Sequence, residues 1–131
     1  MRSGLPALLL LCACSLTPIP DLTSEYVEPC ETTLRDCQLP MTLRFSNEQA
    51  AELRGDFRDG GWVMGEPMTR PDGGVWTATI QAPWGSSVQY KFFVNGTTWL
   101  LDPANPKTTP DGRGNTNSLL ENVTCTKWTC R

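Results

Sequence analysis

The sequence predicts an all-β domain, a two-sheet sandwich of about six or seven short strands, and three observations carry that expectation. Eleven Gly and eleven Pro are spread through 131 residues, so the apolar runs between them are short and bounded by turn residues, which disfavours long helices. Those runs alternate with polar residues at the period of a half-buried strand. The length, with 39% hydrophobic and 19% charged residues, provides one modest core and not two.

The chain opens on Met1-Arg2-Ser3-Gly4 and an apolar run from Leu5 to Leu11. That is far short of the about 20 residues a bilayer-spanning helix needs, so residues 1–13 read as an export signal. Its end, Leu11-Cys12-Ala13-Cys14, resembles the lipobox of bacterial lipoproteins. The resemblance implies cleavage before Cys14 and its lipidation; the ordinary alternative is a secretory signal cut nearby, with Cys14 incidental. Ser15 follows, where Asp often retains such proteins at the inner membrane. The expected place is therefore the bacterial cell envelope, lipid-anchored in the outer membrane, with the domain facing the periplasm or the surface. Residues 14–40 are expected to be the lipidated Cys and a tether, since Ser15 to Pro29 holds three prolines and few apolar residues.

The domain proper is expected over 41–124. Met41 to Phe45 alternates and, across the turn-like Ser46-Asn47-Glu48-Gln49, Ala50 to Phe57 reads as its antiparallel partner. The stretch from Ser46 to Arg54 also fits a short helix. Arg70-Pro71-Asp72-Gly73-Gly74 has the residues of a tight reversal. It feeds Val75 to Gln81, where Trp76, Ala78 and Ile80 share a face opposite Thr77, Thr79 and Gln81, which assigns Trp76 to the core. Pro83-Trp84-Gly85 turns the chain into Val88 to Val94, the strongest strand pattern present. Asn95-Gly96 is a hairpin signal leading into Thr97 to Asp102, and Pro103 and Pro106 end that pairing. A polar loop from Ala104 to Thr116 precedes the last strand, Asn117 to Thr124. This is the size and rhythm of an immunoglobulin-like sandwich.

Cys30, Cys37, Cys125 and Cys130 flank the strand-rich part and form an even set, which in an exported chain implies two disulfides that tie the ends of the domain. Four cysteines allow three pairings, and nothing in the sequence chooses among them; residues 125–131 read as a Cys-containing tail. No His occurs, which removes the commonest general base and zinc ligand. The spacings Cys-x6-Cys and Cys-x4-Cys do not form a zinc knuckle either, so no metal and no cofactor are expected. Eleven Lys plus Arg against fourteen Asp plus Glu give a net charge of -3, with no basic surplus for nucleic acid. Asp102, Asp111 and Glu121 are the carboxylates available for glycoside hydrolysis, but no apolar pocket is evident to raise one pKa. Asp102 before Pro103 reads as a turn residue. Asp102, Asn105, Asp111, Asn115 and Asn117 supply oxygen for calcium but match no calcium loop. The two Asn-x-Thr sequons, at Asn95 and Asn122, read as chance beside a lipobox.

An ordered series of motifs remains: Leu53-Arg54-Gly55-Asp56-Phe57 with Gly60-Gly61-Trp62, then Gly74-Val75-Trp76, then Tyr90-Lys91-Phe92-Phe93-Val94-Asn95-Gly96 with Trp99 and Asp102-Pro103, and Gly114-Asn115-Thr116-Asn117-Ser118. Over roughly 41–124 these resemble carbohydrate-binding module family 48, the glycogen-binding domain of the AMP-activated protein kinase beta subunit and of glycogen branching and debranching enzymes. The resemblance implies an early-set immunoglobulin-like β-sandwich that binds α-glucan or maltooligosaccharide through Trp62, Trp99, Lys91 and Asn117. The sequence departs from the family in a loop one residue longer before Trp62, in one added residue at Thr97-Thr98, and in Arg113, which stands where some members have an apolar wedge.

The chemistry is consistent with that assignment. A pyranose lays its C–H face on an exposed aromatic ring while amide and charged groups at the rim bond its hydroxyls. Trp62 lies in a Gly-rich loop and not in an alternating strand. For Trp99 the competing role is sheet core beside Leu101, and for Lys91 a solvated strand charge; Trp84 and Trp128 have no assigned role. The expected function is non-catalytic α-glucan binding by a membrane-anchored lipoprotein, with a glucan-processing enzyme as a possible partner. The alternative is a protein-interaction module on the same fold.

Overall fold

The computed structural model describes residues 30–44 and 49–131. The export signal, Cys14, the tether to Pro29 and most of the Ser46–Gln49 turn lie outside them. Among the described residues every regular element is a strand apart from two single 3-10 turns, Thr32–Leu34 and Pro71–Gly73, and no helix is long and apolar enough to cross a membrane.

Nine strands are described: β1 Arg35–Leu43, β2 Ala51–Gly55, β3 Glu66–Pro67, β4 Trp76–Pro83, β5 Val88–Val94, β6 Thr98–Leu100, β7 Thr108–Pro110, β8 Thr116–Leu120 and β9 Trp128–Cys130. They form two antiparallel sheets, one ordered β4-β1-β9 and the other β3-β2-β5-β8-β7 with β6 paired to β5. Alternation decides what each sheet buries. Cys37, Met41 and Leu43 of β1 and Trp76, Ile80 and Ala82 of β4 face Ala51 and Leu53 of β2 and Val88, Tyr90, Phe92 and Val94 of β5. In-register pairs bring these side chains together, Leu43 beside Trp76 in one sheet and Leu53 beside Phe92 in the other. Trp76 is therefore core, as its alternation predicts.

Three expectations are corrected. Met41–Phe45 and Ala50–Phe57 are not a hairpin: β1 pairs with β4 and β9, whereas β2 pairs with β3 and β5, because the chain between them crosses from one sheet to the other. The helical alternative for Ser46–Arg54 is replaced over Ala51–Arg54 by β2. The sheets also outrun the 41–124 boundaries, since β1 begins at Arg35 and β9 covers residues placed in the tail. Pro40, inside β1, lies opposite Thr79 in a pair that exchanges no hydrogen bonds, so its missing N–H is not needed.

The cysteines pair as Cys30–Cys130 and Cys37–Cys125, one loop nested inside the other. Beside them the Arg35 guanidinium lies 4.2 Å from the Trp128 ring and 5.7 Å from the Trp84 ring. Those two indoles thus bracket a cation at the end of the domain where the chain enters and leaves. A buried polar network sits at Tyr90. Its hydroxyl donates to Asp102 Oδ2 at 2.7 Å and accepts from Asn105 Nδ2 at 3.1 Å, while Asp102 N–H donates to Ser118 Oγ at 2.8 Å. Asp102 Oδ1 takes the Ala104 N–H at 2.8 Å, the turn role its place before Pro103 predicts.

Candidate functional site

The inward residues of β5 leave Gln89, Lys91 and Phe93 on the outer face of the six-stranded sheet, each partly covered. The turn that follows places another ring there. Asn95 and Gly96 both hold positive φ, 53° and 67°, as the two central positions of a type I′ turn require, and the Thr97 N–H closes it on the Val94 carbonyl at 3.1 Å. Trp99 consequently lies opposite Phe93, with ring centroids 4.7 Å apart. Trp99 is 44% exposed, so it is surface and not sheet core.

A second indole arrives from the loop between β2 and β3. Gly55 and Gly61 let that loop fold tightly onto the sheet: a Cβ at Gly61 would stand 2.3 Å from the Gly55 carbonyl oxygen, and one at Gly55 would stand 2.4 Å from that of Gln89. The Gly55 N–H donates to the Gly61 carbonyl at 3.3 Å. Trp62 follows and comes within 6.4 Å of Trp99, centroid to centroid, with the planes tilted by 47°. Arg54 ties these parts together. Its guanidinium lies 4.1 Å from the Phe93 ring and 5.4 Å from Trp99; it donates to the Trp62 carbonyl at 3.4 Å and to Glu52 at 3.0 Å.

Trp62 and Trp99 border a groove of about 440 Å³ whose polar lining is Asp56, Gln89, Asp111, Arg113 and Asn117. It adjoins a smaller hollow lined by Lys91, Asn115 and again Trp99, Asp111 and Asn117. The four residues expected to bind sugar, Trp62, Lys91, Trp99 and Asn117, are thus brought to one place, and neither added residue carries an indole off the face. Asn117 is the least accessible, 6% exposed, and its Nδ2 donates to Gln89 Oε1 at 3.1 Å, so it forms floor more than rim. Arg113 does line the groove, where it offers charge and hydrogen bonds in place of an apolar wedge.

Sequence reasoning assigned no role to Arg54, Phe93, Asp56 or Gln89. Alternation on β2 and β5 was the available signal for Arg54, Gln89 and Phe93, because each is out of phase with the buried residues. The rim from Asp111 to Asn115 had no such signal, since it is built by local hydrogen bonds. Asp111 Oδ1 accepts the Arg113 and Asn115 N–H groups at 2.7 and 3.0 Å, and Oδ2 accepts Asn115 Nδ2 at 3.0 Å. These bonds, aided by the charge of Lys91, hold the Asp111 carboxyl below its ordinary value of 3.8, the reverse of what a protonated general acid needs. Of the other carboxylates weighed for hydrolysis, Asp102 is engaged by Tyr90 and Ala104 and Glu121 pairs with Lys107. The oxygens considered for calcium divide among separate hydrogen-bond groups, and among the described residues no cluster of three or more His, Cys, Asp or Glu could hold a metal ion. Asp56 Oδ1 accepts the Gln89 N–H at 2.8 Å. No family model matches the chain, and no curated protein is found to match it.

Proposed function

We propose that this groove binds a neutral α-glucan, a glycogen- or starch-like chain or a maltooligosaccharide, without cleaving it, and that the domain is held at a bacterial membrane by lipid on Cys14. The observation that carries the reading is the pair of accessible indoles, Trp62 and Trp99, beside amide and charged groups. Rings tilted by 47° suit a chain that turns from one sugar to the next, as α-linked glucose does, better than a flat ribbon. Taken together, the groove and the adjoining hollow carry formal charges that cancel, Asp56 and Asp111 against Lys91 and Arg113, which favours an uncharged ligand. The resemblance to carbohydrate-binding module family 48 adds support from the same residues.

Sugar hydroxyls exchange water bonds for protein bonds of similar worth, so apolar contact with the rings supplies most of the net affinity. Losing half of the roughly 200 Å² an indole covers costs about 2.5 kcal/mol, or roughly seventyfold. Trp99→Ala is thus expected to weaken binding more than Lys91→Ala or Asn117→Ala, with Trp62→Ala between them. Affinity electrophoresis in gels containing glycogen, amylopectin or neither, followed by calorimetric titration with maltoheptaose, tests this. Equal migration of the wild type in all three gels would sink the reading.

One observation favours the second reading, a protein-interaction module. Val63 and Met64, next to Trp62, are 75% and 74% exposed. A glucan-processing enzyme is the partner that would reconcile both uses. Retention of such an enzyme by the wild type, lost in Val63→Ser/Met64→Ser but kept in Trp99→Ala, would separate the two surfaces.

A further inference from the structure

Two indoles act as one platform when something fixes each against the other, and the backbone around them does not. Trp62 stands on a turn whose hydrogen bonds are local. Gly61 N–H donates to the Arg58 carbonyl at 3.1 Å, Val63 and Met64 N–H donate to the Gly60 carbonyl at 2.9 Å, and Gly55 N–H reaches the Gly61 carbonyl at 3.3 Å. Arg58 braces the same loop from within, donating to the Met64 and Gly65 carbonyls at 2.8 and 2.6 Å and to Glu66 at 3.0 Å. Trp99 belongs to β6, which pairs with β5. None of these bonds runs from the Trp62 turn to β6.

Arg54 spans that gap. On the sheet side its guanidinium lies over Phe93 at 4.1 Å and within 5.4 Å of the Trp99 ring. On the loop side its stem packs on Gly65, where a Cβ would stand 2.8 Å from Arg54 Cγ, and Nη1 points at the Trp62 carbonyl at 3.4 Å. Glu52 holds Nε at 3.0 Å, so the group is oriented at both ends, and its side chain is only 17% exposed. A planar fork stacks on a ring and donates in two directions at once, which an ammonium cannot do.

The charge is placed at a cost. In the β2–β5 register Arg54 lies directly opposite Lys91, and like charges facing each other across two strands are destabilising. A residue whose one task was to cover Phe93 would do so better as Leu or Met, without that repulsion. The cation is therefore there for what a guanidinium alone does, joining rings on the sheet to a carbonyl on the loop. We propose that Arg54 is the positioning residue of the groove: it sets the spacing and tilt of Trp62 against Trp99. If the groove binds glucan as proposed above, Arg54 thereby fixes the angle at which successive sugars must turn.

Indoles this close couple their electronic transitions, and the resulting couplet in circular dichroism depends on their distance and angle. Spectra of the oxidised full chain test the proposal, with Trp62→Phe and Trp99→Phe identifying the part that belongs to the pair. The expected result is a couplet in the wild type that is lost in Arg54→Ala and partly regained in Arg54→Lys. The Glu52 and Phe93 amides, opposite each other on β2 and β5, should stay equally protected from hydrogen exchange throughout. No couplet in the wild type, a couplet unchanged in Arg54→Ala, or one restored in full by Arg54→Lys overturns the proposal. So does a couplet lost only together with the protection of those amides, since Arg54 would then merely hold the sheet. In calorimetric titration Arg54→Ala should bind maltoheptaose about tenfold more weakly, the worth of roughly a quarter of an indole's contact; affinity kept while the couplet is lost also counts against it. A wild type that binds no maltoheptaose sinks the glucan reading instead, and the couplet then decides the role of Arg54 by itself.

Discussion

Tyr90 illustrates how one hydroxyl holds a loop to a sheet. Its ring is fully buried, and its O–H is shared between Asp102 and Asn105. Tyr90→Phe keeps the packing but strips Asp102 Oδ2 of its donor and costs about 1–3 kcal/mol. Burial first, and then the Asp102 carboxylate, push the phenol well above its ordinary value of 10.0. The sign follows from linkage: the native state keeps its proton where the unfolded chain gives it up, so this contribution is complete below pH 10 and is lost as the pH rises above it. Urea melts from pH 8 to 11 should show wild-type stability falling at the alkaline end, with a shallower fall in Tyr90→Phe; parallel curves would refute the assignment. The tryptophans separate by the same logic of burial. Trp76→Ala should cost about 3–5 kcal/mol as a core truncation, while Trp99→Ala leaves the melting temperature nearly unchanged, and thermal melts that reversed this order would exchange core and ligand faces. Alternation made Trp76 legible, and the Asn-Gly turn made the strand carrying Trp99 legible. Arg54 was not, because its role depends on two rings and a carbonyl contributed by other elements.

At the scale of elements the loop between β2 and β3 depends on an absent side chain. Gly61→Ala drives a methyl group into the Gly55 and Arg58 carbonyl oxygens, at 2.3 and 3.1 Å, and neither can yield as a side-chain tip could. The expected outcome is a loss of about 1–3 kcal/mol and, if the groove binds glucan as proposed, weaker binding as Trp62 shifts. Gly60→Ala meets open space and suffers only its positive φ of 69°, so it should cost about 1 kcal/mol and leave binding intact. Calorimetry on the two variants checks the contrast, and equal binding losses would contradict it. The long strands β4 and β5 were readable because they bury one face through several alternations. β3, β7 and β9 run for two or three residues on sheet margins, where there is too little buried surface for any period to show. Turn residues marked where the chain reverses but not which sheet it joins next, and so β1 and β2 were read as neighbours.

For the molecule as a whole, the nested disulfides make an energetic prediction. Each bridge spans a long stretch, with sequence separations of 100 and 88, for which loop-closure entropy supplies about 4.7 kcal/mol when the bridge stands alone. When the other bridge is present, the remaining ring holds only the short segments from Cys30 to Cys37 and from Cys125 to Cys130, and the contribution drops to about 3 kcal/mol. Replacing either pair by Ser should therefore cost about 3 kcal/mol. Replacing both should cost about 1.5 kcal/mol more than the two single losses together, and strictly additive urea midpoints would rule out this account. The all-β class followed from composition and alternation. The pairing of cysteines did not, because it depends on β9 returning to β1, a contact between the ends of the chain that no local pattern records.

That same ring changes how the domain carries a mechanical load. Tension on the chain ahead of Cys30 meets a branch point and not the loose end of a strand. One path runs through the Thr32–Leu34 turn to Cys37 and β1; the other crosses to Cys130, returns through β9 to Cys125, and continues past Val123 into β8. The traction is shared between the two sheets, and β1 cannot be peeled from β4 beyond Cys37 without dragging Cys125 behind it. Asn117, on β8, lies along the second path, so a glucan bound as proposed and a pull on the chain ahead of Cys30 would act on opposite ends of one covalent linkage.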